Sequence, residues 1–255
     1  MPLLAADIGN SHTVLGLLED GVVGDHWLVG TDDHRTADEW AVLLRGLLPA
    51  GALDGIAVSA TVPAVLHEWR AMLARHFPNV PVVVVEPGIR TGIPVLMDNP
   101  REVGSDRILN ALAAVEEFGG PAIVVDFGGT ATTFDVVNAA GQYVGGAIAP
   151  GIEVSLAALG RGGAQLREVE LLRPRSVIAK NTVEALQAGM IFGVAAQVDG
   201  VVERMIAALG VQPADVRVVA TGYLADVVVD ECRCFTDHVP WLTLLGLGLV
   251  FARNR

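Results

Sequence analysis

The chain is short of positive charge, of cysteine and of aromatic residues. Its 255 residues carry 17 Lys and Arg against 29 Asp and Glu, a formal net charge of −12. A non-specific nucleic-acid binder needs a basic face to displace counterions from phosphates, so no nucleic-acid partner is expected. Any anionic ligand must then be held locally, by backbone N–H groups, a few arginines or bound cations. The two cysteines, Cys232 and Cys234, occupy alternate positions and in a strand would point to opposite faces. They read as reduced thiols, the cytosolic default, and no His/Cys cluster lies nearby to complete a metal site. The N-terminus has no basic stretch followed by an apolar run and a cleavage site, and no run of about 20 apolar residues occurs. The expectation is a cytoplasmic protein with no membrane partner.

What is present is apolar and small. Residues of the hydrophobic class make up 52% of the chain, and Gly alone contributes 29 residues, as in α/β proteins with buried strands. Apolar Leu3–Ala6 leads into Asp7-Ile8-Gly9-Asn10-Ser11. Strands follow at Thr13–Leu18 and Val22–Val29, joined by Glu19-Asp20-Gly21, a hairpin signal. Thr36–Leu48 has helical spacing, with Thr36 and Glu39 forming a capping box. Gly55–Ala60 reads as a strand, Pro63–Phe77 as a helix, and Pro81–Glu86 as a strand buried on both faces. Glu102–Phe118 is helical.

The pattern then starts again. Ala122–Val125 leads into Asp126-Phe127-Gly128-Gly129-Thr130, followed by strands at Thr132–Val137 and Gln142–Ile148. Asp7 to Gly21 spans 14 positions and Asp126 to Gly141 spans 15; one added glycine, Gly128 or Gly129, accounts for the difference. A period above 100 residues indicates a duplicated domain rather than a solenoid. No Pro/Ser-rich linker separates the copies, and the boundary falls near Gly119-Gly120, giving lobes 1–119 and 120–255. Later elements are Ala149–Gly163, rich in small residues, a long helix Thr182–Leu209 broken near Gly193, a strand Val216–Thr221, a short helix Leu224–Asp230 and a last apolar helix Leu242–Phe251.

An Asp at the end of a buried strand, followed by Gly, places a carboxylate beside exposed backbone N–H groups. Gly9 allows close approach of a ligand, and successive N–H groups in such a turn form an anion cradle. Asp-x-Gly alone also describes ordinary turns. Two copies strengthen the case, since a pair of such loops can grip a polyphosphate while their carboxylates manage cations. The threonines after Gly129 fit an ordinary strand equally well. A third segment, Gly104-Ser105-Asp106-Arg107, lies at a helix start. Arg107 has the forked geometry for carboxylate or phosphate, and Asp106 can take a proton from a hydroxyl. A helix-cap aspartate with a solvated arginine reads the same.

These residues, with Asp98-Asn99-Pro100, Gly146-Ala147-Ile148-Ala149-Pro150-Gly151, Asn181-Thr182 and Thr221-Gly222 in order, resemble type III pantothenate kinase. The resemblance runs from Asp7 to the C-terminus. It implies the actin-like ATPase architecture: α/β, two duplicated ribonuclease-H-like lobes with mixed sheets and an interlobe cleft. It implies transfer of the ATP γ-phosphoryl group to the primary hydroxyl of pantothenate, opening coenzyme A biosynthesis. By matched positions, Asp7, Ile8, Gly9, Asn10, Ser11, His12, Thr13 and Val14 would bind ATP, together with Thr130. Asp106 would be the catalytic base, and Gly104, Ser105, Asp106, Arg107 and Thr182 would contact pantothenate. Asp126 would hold a monovalent cation, K+ or NH4+, with Mg2+ on ATP, and the protein would be a homodimer. A non-catalytic, regulatory relative is the alternative. The sequence departs from the family at the second loop, usually Asp-x-Gly-Thr; at Met97, where a substrate-contacting tyrosine is common; at Tyr223, where Thr-Gly-Gly is usual; and at Leu244–Leu247, which lacks a carboxylate.

Overall fold

The computed structural model describes residues 2–49, 51–162 and 169–255. In chain order its elements are β1 (Leu3–Ile8), β2 (His12–Glu19), β3 (Val22–Gly30), α1 (Ala37–Leu47), β4 (Gly55–Ala60), α2 (Pro63–His76), β5 (Val82–Val84), α3 (Ser105–Phe118), β6 (Ala122–Asp126), β7 (Ala131–Val137), β8 (Tyr143–Pro150), α4 (Ile152–Gly162), α5 (Thr182–Leu209), β9 (Arg217–Thr221), α6 (Ala225–Val228), β10 (Asp237–His238) and α7 (Leu242–Asn254). The strands make two five-stranded sheets, β3-β2-β1-β4-β5 and β10-β9-β6-β7-β8. Read from its other edge, the second order is the first with every strand number raised by five. Pairing repeats too. β1-β2-β3 and β6-β7-β8 are antiparallel meanders, whereas β4 and β9 join β1 and β6 in parallel. The α/β class and the duplication expected from the sequence are both present.

By contact the chain falls into two units. The first comprises Met1–Ile93, Asp98–Ala113 and Trp241–Arg255, the second Pro94–Met97 and Ala114–Pro240. A division at 119/120 follows chain order; contacts instead group the last helix with the first unit and residues 94–97 with the second.

In the first unit, the Asp20-Gly21 turn has φ of 50° and 79°, the left-handed pair that a two-residue hairpin requires. The capping box forms as read: the Thr36 N–H donates to Glu39 Oε2 at 2.8 Å and the Glu39 N–H to Thr36 Oγ1 at 3.4 Å. One sheet face buries Leu4, Ala6, Ile8 and Val58 against Trp40 and Trp69, whose rings lie 5.3 Å apart. α7 packs against β1 and β4. A Cβ on Gly246 would meet the Leu109 carbonyl oxygen at 2.4 Å, so that glycine lets α7 touch the α3 backbone. Nearby, Thr243 Oγ1 donates to Oδ1 of buried Asn110 at 2.8 Å.

In the second unit, Ile123, Val125, Phe134, Val198 and Val202 form the core. Buried Asp135 accepts from Tyr143 Oη at 2.8 Å and Thr133 Oγ1 at 3.1 Å, which satisfies a costly buried carboxylate. Residues 94–97 add to this edge: the Leu96 N–H donates to the Tyr143 carbonyl and the Tyr143 N–H to Pro94. Met97 lies here, its sulfur 3.5 Å from where Gly145 would carry a Cβ. α5 is long and apolar enough to cross a membrane by length and composition. Met190, Val198 and Val202 pack one side of it into the core.

Several expectations need correction. α5 runs unbroken through Gly193, because core packing offsets the roughly 1 kcal/mol helix penalty of one glycine. The helix expected from Glu102 begins at Ser105, and Pro100–Glu102 is a separate 3-10 turn. β5 is three residues long at a sheet edge with Val82 exposed, not a strand buried on both faces. Ala149–Gly163 holds the end of β8 and then a helix, α4; Gly163 lies outside the described residues. Cys232 and Cys234 sit in no strand and are free.

The largest correction concerns the second loop. Asp7 pairs with Val14 across β1-β2 and Asp126 with Thr133 across β6-β7. Both separations are seven residues, so relative to the first copy no glycine has been added between Asp126 and Thr130. The extra position lies in the following hairpin. Counted from the loop aspartate, Glu19 and Asn138 correspond: Glu19 pairs with Val22 across two residues, whereas the Asn138 N–H donates to the Gln142 carbonyl across three.

Candidate active site

The first loop is built at the end of a buried strand. Asp7 and Ile8 end β1, Gly9, Asn10 and Ser11 turn, and His12, Thr13 and Val14 open β2. The Gly9 N–H donates to the His12 carbonyl at 3.0 Å and the Thr31 N–H to the Ser11 carbonyl at 2.9 Å, closing the turn. Buried Thr13 shares a hydroxyl hydrogen bond with Thr31 at 2.9 Å. Oδ1 of Asp7 is buried, and Asn10 is exposed at the tip.

Asp106 belongs to the same unit. Asp7 pairs in register with Ser59 on β4, and Ser59 Oγ lies 2.9 Å from Ser105 Oγ. Ser105 is the first residue of α3 and Asp106 the second. A strand neighbour and one hydroxyl pair thus connect the loop aspartate to the helix that carries the candidate base. Ser59 was not among the predicted residues; a serine inside an apolar strand was the available signal. A Cβ on Gly104 would fall 2.4 Å from Asp106 Oδ1, so glycine there gives the carboxylate its place. Burial pushes the Asp106 carboxyl above its ordinary value, against the opposing pull of the Arg107 N–H and guanidinium and its own N–H. A carboxylate so raised is a stronger proton acceptor.

Beside Ser105 a cavity of about 720 Å³ opens. Ala60, Leu66, Val85, Ile89, Val103 and Ile108 make its walls largely apolar, and Arg101 and Glu86 supply one charge of each sign. That is the size and lining of a small-molecule site.

The second loop is in the other unit. Asp126 ends β6 and pairs in register with Thr221, at the end of β9. Its Oδ1 is buried. Cβ atoms on Gly128 and Gly222 would stand 2.6 and 2.4 Å from that oxygen, so both glycines let the loop and the following turn close around it. Gly222 has φ of 92°, left-handed backbone that suits glycine. Thr130 is exposed, and its carbonyl accepts from the Gly151 N–H at 2.9 Å, joining the loop to the start of α4. There Glu153 accepts from Tyr223 Oη at 3.1 Å. Glu153 was not predicted, although the spacing of Ile152, Leu156 and Leu159 marks a helix behind Gly151.

Thr182 is exposed at the first position of α5. Its N-cap, Asn181, accepts from the Glu184 N–H at 2.9 Å, and Arg175 grips Glu184 through two donors. The structure therefore gathers the first loop with Gly104–Arg107, and the second loop with Thr221–Tyr223 and Glu153. Among the described residues no group of three or more His, Cys, Asp and Glu could hold a metal ion. Asp126 supplies a carboxylate oxygen, the donor type that a hard cation takes.

Comparison with known proteins bears on this arrangement. A family model for type III pantothenate kinase matches residues 3–204. A type III pantothenate kinase from Nocardioides sp. is 76% identical over 256 residues, covering 100% of both chains. Among solved structures, a Baf family protein from Campylobacter jejuni is 17% identical with a TM-score of 0.61 over 98% of each chain. An inorganic polyphosphate/ATP-glucomannokinase from Arthrobacter sp. is 17% identical with a TM-score of 0.52, covering 100% of this chain and 99% of its own. At these identities the two structures show the fold alone.

Proposed function

The chain belongs to the type III pantothenate kinase family, and on that premise we propose that it phosphorylates pantothenate to 4'-phosphopantothenate with ATP, the first step of coenzyme A biosynthesis. The carrying observation is 76% identity to a type III pantothenate kinase across the whole chain. The raised Asp106 carboxyl, next in sequence to Ser105 on the wall of the 720 Å³ cavity, adds chemistry to it.

In this reading the backbone N–H groups of Asn10 and Ser11 cradle phosphate, Gly9 lets the ligand approach closely, and His12 to Val14 hold the turn's far side. Thr130 binds ATP from the second loop. Gly104 to Arg107 and Thr182 contact pantothenate, whose carboxylate finds a guanidinium at Arg107. Asp106 orients the primary hydroxyl and accepts its proton as the oxygen attacks the γ-phosphorus, while ADP leaves with the bridging oxygen. Phosphoryl transfer depends on positioning and on neutralising spread charge. A chain of net charge −12 needs cations for the second task. A divalent ion on ATP and K+ or NH4+ at Asp126 would supply that neutralisation. The protein works in the cytoplasm as a homodimer, with no membrane or nucleic-acid partner. A regulatory, non-catalytic role is not favoured, because the Baf family protein shares only the fold.

The test is ATP consumption with pantothenate in potassium and then in sodium. Turnover in potassium that falls several-fold in sodium is expected. No turnover in either salt overturns the reading, and equal rates remove the monovalent cation from it.

A further inference from the structure

Tyr223 follows Gly222 just past the end of β9, and its side chain turns toward the second loop. Among the described residues, leaving aside its chain neighbours Gly128 and Thr130, its hydroxyl oxygen is the one atom within 4 Å of a Cβ built on Gly129, at 3.9 Å. Gly129 is buried, but its neighbours Gly128 and Thr130 are exposed. On the kinase reading a phosphate is held at this loop, and the Tyr223 hydroxyl is the side-chain donor that lies against it. The hydroxyl now donates to Glu153 Oε2 at 3.1 Å. Burial, then the charge of Glu153, then that of Asp126, push the phenol upward, so the hydrogen stays on the oxygen at any working pH. A phenol has one hydrogen to give, and the carboxylate and a phosphate would compete for it.

We propose that Tyr223 is a nucleotide-phosphate ligand held in reserve by Glu153: its hydroxyl donates to Glu153 in the empty site and passes that hydrogen bond to a phosphate oxygen when nucleotide binds. The proposal rests on the kinase reading. It makes Tyr223 a binding residue and Glu153 its positioning residue, one that lowers nucleotide affinity by competing for the same hydrogen.

Calorimetric titration of a non-hydrolysable ATP analogue into the full-length protein tests this, with Mg2+ and potassium present. Tyr223→Phe removes only the hydroxyl and should weaken binding about tenfold, the worth of a charge-assisted hydrogen bond. Glu153→Gln removes the competing charge and should tighten binding about threefold. The KM for pantothenate should stay at the wild-type value in both. A merely structural bond would move both variants the same way. Binding by Tyr223→Phe at wild-type strength or tighter overturns the proposal. So does weaker binding by a Glu153→Gln variant that melts like wild type. If the wild type phosphorylates pantothenate while Tyr223→Phe binds unchanged, only this proposal falls; a wild type that binds no nucleotide overturns the kinase reading with it.

Discussion

Asp106 carries two opposing influences. The first turn of α3 favours its anion through the helix dipole, while burial favours the protonated acid, and burial dominates. Folding raises this pKa, so between the unfolded and folded values the native state binds more protons than the unfolded chain. Stability therefore falls as pH rises through that window, and the deficit persists at neutral pH. Asp106→Asn keeps the shape and removes the charge. It should melt at or above the wild-type temperature at pH 7 while kcat falls about 10²–10⁴-fold, the usual contribution of a general base. Thermal melts and steady-state rates check both halves. A variant that keeps its rate would remove Asp106 from the role, and one that melts lower would contradict the dominance of burial at this carboxyl. The Asp106 segment was picked out in the sequence through its resemblance to a family, since by themselves the residues describe a helix-cap aspartate equally well. Its environment was not, because the upward shift comes from surroundings assembled by the fold.

At the scale of elements, local chemistry was the most readable part. The Asp20-Gly21 turn and the Thr36–Glu39 capping box depend on neighbours within four residues, and both form as the sequence suggested. Pairing register was not readable. Counting from Asp to the hairpin glycine placed an extra residue in the second loop, but β6-β7 pairing places it in the hairpin. The length of β5 and the continuity of α5 were likewise set by sheet position and core packing. The second loop's own geometry leads to a paired prediction. Gly21 and Gly222 both have left-handed backbone, but a Cβ on Gly21 meets nothing within 4 Å, whereas one on Gly222 meets Asp126 Oδ1, Gly128 N and Phe127 C below 3 Å. Gly21→Ala should cost about 1–2 kcal/mol from backbone conformation alone. Gly222→Ala should cost clearly more, and should also weaken ATP binding by moving Asp126. Urea midpoints at unchanged m-values measure the difference. Equal losses would mean that the crowding around Asp126 carries no energy.

Over the whole chain, sequence order and contact do not coincide. The first unit takes its strands from the beginning of the chain, α3 as far as Ala113 from the middle and α7 from the end. The duplication made a division at 119/120 natural, since each copy opens with the same strand pattern, but periodicity says nothing about where a final helix docks. α7 places Leu247 and Val250, both fully buried, in a helix packed against β1 and β4, the strands that carry Asp7 and Ser59. Thr243 in its first turn bonds Asn110, four residues after Asp106. The last residues of the chain thus brace the helix and the strands of the first half-site. Leu247→Ala should cost about 2–5 kcal/mol, the range for a buried leucine that leaves a cavity. The loss should fall unevenly. Hydrogen exchange should speed up at amides of β1, β4 and α3 while β6 and β9 keep their protection, because local opening follows contact rather than chain order. If the substitution instead loosens β6 and β9 first, the final helix supports the second unit, and the bracing of Asp106 through Thr243 loses its basis.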